Sequence, residues 1–183
     1  MQIRALIASL LFTASSINAI AEIEKIAIPG EQNISFYWWP MLAPPSGWEQ
    51  DRDFSFRYGV NALAPIGTSF ANAESVMYAK AVFKPRQPNV KSLAMLIEND
   101  KEDFLAKVPG VVIQAAPSLV TIDGKKLISL TYTPKEKGNW ERVSYLEEGE
   151  YYLIFTISSR TQGAFLAAAK AYETLVTQYK EKQ

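Results

Sequence analysis

The stretch that most constrains this chain runs from Tyr151 to Tyr179. It opens with an apolar run, Tyr151-Tyr152-Leu153-Ile154-Phe155-Thr156-Ile157. That run is too short for an ordinary helix and rich in aromatic and β-branched residues, so it reads as a central strand. Ser158-Ser159-Arg160-Thr161 follows, and any of its hydroxyls can cap the free N–H groups of a helix. Phe165, Ala168, Ala169, Tyr172, Leu175, Val176 and Tyr179 then recur every three or four positions as one apolar stripe. Lys170, Glu173, Thr174, Thr177, Gln178 and Lys180 fall between them and face water. A helix with such a stripe must lie on a sheet, and the strand before it is the expected floor.

The chain has 183 residues, 48% of them hydrophobic and 21% charged, enough to bury a proper core without disulfides or metals. It contains no cysteine and no histidine. Zinc or copper sites of thiolate and imidazole are excluded by that inventory, as are Ser-His-Asp and Cys-His catalytic groups. Chemistry based on carboxylate, Lys, Tyr or Ser-Lys groups is what remains. The 19 basic residues balance 19 acidic ones, and no concentrated basic patch is visible, so nucleic acid is not an expected partner.

Residues 1–21 have the form of a secretory signal peptide. Arg4 supplies the positive start, Ala5 to Phe12 the apolar region, and Ala19-Ile20-Ala21 the cleavage site, with cleavage after Ala19 as the alternative. The apolar run is well short of the ~20 residues that span a bilayer. No later segment is long and apolar enough to do so, and no cysteine stands at the cleavage point for lipid attachment. Removing Arg4 leaves 18 basic against 19 acidic residues, a net charge of −1. A periplasmic or secreted location is expected, with residues 22–183 forming one domain.

Within that domain, residues 22–28 and 34–40 read as strands, stopped by Pro29-Gly30 and Pro40, and Pro44 to Gly47 as a loop. Trp38, Trp39 and Trp48 lie close together in the sequence. Packing over one end of the core is their expected role, with an aromatic binding platform as the competing one. Phe54 to Tyr58 alternates and reads as a strand ending at Gly59; Ala64-Pro65-Ile66-Gly67 makes a turn. Val76 to Phe83 is a further strand, with Tyr78, Lys80 and Val82 on one face and Met77, Ala79, Ala81 and Phe83 on the other. Asn89 can cap one or two helices over residues 90–106, ended by Pro109-Gly110. A meander is expected beyond it: strands at 111–115, 119–122, 127–132 and 140–146, with Asp123-Gly124 as a hairpin turn.

The densest acidic group, Glu147, Glu148 and Glu150, flanks Gly149 and lacks the spaced oxygen ligands of a calcium loop, so a solvated turn is expected. Asp100-Lys101-Glu102-Asp103 reads as the exposed side of a helix. Gly59 and Gly67 are isolated and make no phosphate-cradling loop. Arg160 is the residue of most interest, because a strand-to-helix junction is where α/β proteins often hold ligands. Trp140 and Tyr78, from neighbouring stretches, are expected to line the same end. No catalytic residues, metal site or cofactor are identified.

The order of elements is similar to that of PsbP-like proteins. Pro45-Ser46-Gly47-Trp48 opens the similarity, which continues through Gly59, Pro65-Ile66-Gly67, the strand at 76–83, a helix and a meander. The most specific part is the strand, Ser-Ser-Arg turn and helix at 151–179, within a resemblance covering roughly residues 45–183. The family includes the extrinsic photosystem II protein, Ran-binding relatives and bacterial periplasmic proteins of unknown role. The resemblance implies an α+β fold, an antiparallel sheet with helices packed on both faces (an α/β/α sandwich), and a protein that binds others without catalysis. The Trp38-Trp39 segment has no counterpart in it, and nothing suggests a thylakoid address. The expected function is therefore a non-catalytic binding or accessory protein with an envelope partner. A small-molecule carrier with its pocket near Arg160 is the first alternative, and a carboxylate-dependent hydrolase the second.

Overall fold

The computed structural model describes residues 23–30 and 33–181; the expected signal peptide, residues 1–21, lies outside them. The strand expected at the heart of the chain is there, and the sheet is built outward from it. In chain order the elements are β1 (Ile23–Pro29), β2 (Ile34–Pro40), β3 (Trp48–Gln50), α1 (Arg52–Tyr58), β4 (Asn61–Pro65), β5 (Ser75–Phe83), α2 (Leu93–Lys107), β6 (Val112–Ala116), β7 (Ile128–Thr133), β8 (Trp140–Glu148), β9 (Tyr151–Ser159) and α3 (Gln162–Thr177). The fold is α+β, with one large antiparallel sheet and three helices among the described residues. The main path through the sheet is β1-β2-β5-β9-β8-β7-β6, while β4 pairs with β5 and β3 with β4.

β9 is central because both its neighbours run its full length: Ser75 to Phe83 pair with Ser159 to Tyr151, and Trp140 to Glu148 pair with the same span from the other side. Its residues from Tyr152 to Ser159 are all buried, with Tyr151 at the end half-buried. Leu153, Phe155 and Ile157 share one core cluster with Met77, Ala79 and Ala81 of β5 and with Ala168, Tyr172, Leu175 and Val176 of α3. Ile154 falls instead in a second cluster with Leu130, Tyr132, Val143, Tyr145 and Ile97 of α2. Fully burying a Leu or Phe side chain contributes about 1.5–3 kcal/mol, so these two clusters carry most of the stability. The capping hydroxyl of α3 is that of Thr161, which accepts from the Ala164 N–H. Tyr179 lies beyond the helix end yet is 1% exposed, seated in the first cluster.

Four expectations are corrected. Phe54 to Tyr58 is helix α1: the Asp51 side chain caps its start, and Gly59, at φ +66°, closes it in the left-handed conformation that Gly adopts without strain. The apparent alternation hid an i, i+4 pair, since Phe54 and Tyr58 stack with centroids 4.1 Å apart. The helix expected over 90–106 is the single helix α2 (Leu93–Lys107), capped by Ser92 rather than Asn89. Leu119 to Ile122 is not a strand; a single bridge, Val120 to Lys126, flanks the Asp123-Gly124 turn. Glu148 is not a solvated turn residue, for β8 continues through it and its carboxylate, 7% exposed as a residue, accepts from the Tyr179 hydroxyl at 2.9 Å. Lys125 bridges from Glu148 (3.3 Å) to Glu181, which ties the end of the chain to the turn at Asp123.

The three Trp residues divide. Trp39 is buried, and Trp38 and Trp48 pack half-buried against the first cluster, Trp38 stacking on Phe83 at 5.0 Å. Among the described residues no helix is long and apolar enough to cross a membrane.

Candidate functional site

Strand periodicity decides which side chains meet at the start of β8. Successive residues point to opposite faces, so Trp140 and Glu141 part company. Trp140 lies over Phe165 of α3, ring centroids 6.5 Å apart. Glu141 lies opposite Ser158 of β9, which in turn lies opposite Val76 of β5, and two residues along β5 stands Tyr78. Arg160 follows Ser158 by two and takes the same side. The structure thus brings Arg160 and Tyr78 into one cavity of about 160 Å³, and puts Trp140 outside it. The expectation for Trp140 is corrected, because adjacency in sequence places it one residue out of phase with the cavity.

The residue missed by sequence reasoning is Glu141. It lines this first cavity and also a second, of about 260 Å³, walled by Phe104 of α2 with Val108, Val111 and Gly138. Its Oε1 accepts from the Ser158 hydroxyl at 2.7 Å, and that hydroxyl accepts from the Asn139 amide at 2.8 Å. Its Oε2 is shut off from solvent with no hydrogen-bond partner. Desolvation pushes the carboxyl up to about 7, helped by the negative charge of Asp100 and opposed by the Ser158 hydrogen bond. At neutral pH it is divided between charged and neutral forms.

The surroundings are held firmly. Asp51, having capped α1 with one carboxylate oxygen, accepts from the Phe70 N–H with the other at 2.8 Å. That bond and the Phe54–Phe70 stack, at 3.9 Å, fix Phe70 on the cavity wall. Arg160 ties the same loop to the end of β9: its N–H donates to the Glu74 carbonyl at 2.9 Å and its Nη2 to the Ala71 carbonyl at 2.7 Å. Burial, and after it the charge of Glu141, keeps the Tyr78 hydroxyl well above the ordinary phenol range, so it stays a neutral donor.

Asp100 is not simply on the exposed side of α2. It is half-buried and accepts from the Tyr145 hydroxyl, which leaves Tyr132 to donate to Tyr145 across 3.0 Å. Burial pushes the Tyr132 hydroxyl up to about 12. This chain satisfies its own members and holds α2 over the sheet, where Phe104 meets Tyr132 at 4.2 Å. A third hollow, of about 360 Å³ beside Glu49, Asp51 and Asp53, is open and acidic, and both Asp51 oxygens there are taken by backbone N–H groups. Among the described residues no group of His, Cys, Asp or Glu is placed to hold a metal ion.

No family model matches the chain, and no curated protein matches it. Among solved structures it is similar to the crystal structure of a protein of unknown function from Pseudomonas aeruginosa, at 12% identity and a TM-score of 0.48, over 87% of this chain and 98% of that one.

Proposed function

We propose that the protein is an exported, non-catalytic binding or accessory domain of the cell envelope, and that the cleft around Glu141, between Arg160, Tyr78 and α2, is its ligand site. The observation that carries this is the Oε2 of Glu141, buried without a partner where two cavities adjoin. A buried polar atom left unsatisfied costs about 1–3 kcal/mol, and a donor group on a small ligand would recover it. The architecture belongs to the same reading: α3 on one face of the sheet and α2 on the other, an α/β/α sandwich. Its support is the strict alternation along β8, where Ser144 meets Tyr172 of α3 while Tyr145 meets Asp100 of α2. Kinship with PsbP-like proteins rests on the order β5, α2, β6 to β9 and α3, and the periplasmic or secreted location on residues 1–21.

The test is native mass spectrometry on protein taken from its own cell envelope, joined to a thermal-shift screen of small metabolites, with Glu141→Leu as the comparison. Leu removes the carboxyl without adding a buried charge, so the variant folds, as its far-ultraviolet circular dichroism checks. A retained mass or stabilising compound that the wild type binds and Glu141→Leu does not supports the reading. Equal retention by both, or no retained mass and no stabilising compound, refutes it. The N-terminal residue of the mature chain, Glu22 or Ile20, tests export in the same spectrum.

A rival, hydrolysis by paired carboxyls, has one observation in its favour: Glu74 lines the first cavity together with Glu141. Turnover of a glycoside or ester substrate, abolished in both Glu141→Gln and Glu74→Gln, would establish it.

A further inference from the structure

We infer that the first cavity takes a small zwitterion, its amine on Glu141 and its carboxylate on Arg160, an assignment that rests on the cleft being a ligand site. Three charged side chains line that cavity: Glu141, Glu74 and Arg160. Glu141 presents a buried acceptor with no donor. Arg160 presents the complement. Its guanidinium carries five N–H donors, of which Nη2 is engaged by the Ala71 carbonyl, and among the described residues no carboxylate lies within ion-pair distance of it.

The backbone positions of the two residues are set by the register. Glu141 lies opposite Ser158 on β9, and Arg160 stands two residues beyond Ser158 on the same side, so roughly 7 Å separates their anchor points along the strand. A ligand reaching both needs a short spacer between a cationic donor and an anion. Phe70 and Tyr78, centroids 5.9 Å apart, wall that interval. Aromatic faces suit methylenes and also attract an ammonium. The cavity, about 160 Å³, holds on the order of five water-sized groups, which suits a short ω-amino acid. A simple amine would leave the Arg160 fork unanswered and bring a second cation near it; a simple carboxylate would do the reverse beside Glu141. An amine next to Glu141 also holds its carboxyl ionised.

The experiment is calorimetric titration of the protein at neutral pH with 4-aminobutanoate, butylamine and butanoate as matched probes. The zwitterion should bind about tenfold more tightly than either half, the worth of one charge-assisted hydrogen bond. Arg160→Ala should reduce 4-aminobutanoate to the level of butylamine and not weaken butylamine. Glu141→Gln should reduce it to the level of butanoate and not weaken butanoate. Butylamine binding as tightly as 4-aminobutanoate, no response to Arg160→Ala, or no binding of any probe overturns the assignment. A screened compound lacking either charged group that binds the wild type and not Glu141→Leu also overturns it, while leaving the cleft a binding site.

Discussion

Replacing Glu141 with Gln changes one buried atom and keeps the shape of the side chain, so it isolates the cost of the charge. The carboxyl sits at about 7, against an ordinary value of 4.5. Each tenfold displacement of that equilibrium is worth about 1.4 kcal/mol, so ionising the group inside the fold costs ~3 kcal/mol. That cost is already net of the hydrogen bond that the Ser158 hydroxyl donates to the charged form. A gain of ~3 kcal/mol is therefore expected for Glu141→Gln at about pH 8, and close to none at about pH 4.5. The sign follows from proton binding: with its value raised in the folded state, Glu141 makes the folded chain hold more protons than the unfolded one between 4.5 and about 7. The share of wild-type stability linked to Glu141 is then fully present below that window and lost as pH rises through it, whereas the Gln variant lacks that share of the pH dependence. For a chain of this size ~3 kcal/mol raises Tm by roughly 6–12 °C. Thermal unfolding of both proteins across the window measures it. A Tm difference that does not change with pH, or a less stable variant at the alkaline end, would refute the reasoning.

Three further outcomes are expected. Ser92→Ala and Thr161→Ala should each cost ~1 kcal/mol in urea unfolding, while Asn89→Ala, outside the helix, should cost less than about 0.5 kcal/mol. Gly59→Ala should destabilise by at least ~1–2 kcal/mol in the same assay, because its φ is +66° and a Cβ would come within 2.1 Å of the Tyr37 ring. Tyr179→Phe should cost ~1–3 kcal/mol, since it removes a donor from both oxygens of the buried Glu148 carboxylate; equal stability of the two proteins would mean that the C-terminal tie is dispensable.

Much of the frame was legible because its signals are local. The β9 run and the α3 stripe are written in consecutive residues, and so are the two faces of β5, which place Tyr78 and Met77 on opposite sides as expected. Arg160 stood out by its junction, and it does reach the cavity. The errors share a cause. A five-residue alternation such as Phe54 to Tyr58 fits a strand and a short helix equally, and what decides it is the bracket of Asp51 and Gly59, a signal present in the sequence and outweighed by the alternation. Glu148 looked solvated because its burial depends on Tyr179, 31 residues away, folding back over it.

Glu141 shows the boundary most plainly. In the sequence it is an acidic residue between Trp140 and Arg142 in a strand, with no motif around it. Its environment comes from Ser158 across the ladder, Asn139 in the preceding loop, Phe104 on α2 and Phe70 in a loop pinned by Asp51. Each is distant in sequence or set by a turn, and only pairing register and helix placement bring them together. The sequence by itself determined the strand–helix pair, the apolar faces and the absence of thiol and imidazole chemistry, since propensity, periodicity and inventory act along the chain. The tertiary structure decided which carboxyls are dry, because desolvation is a property of what surrounds a group in space.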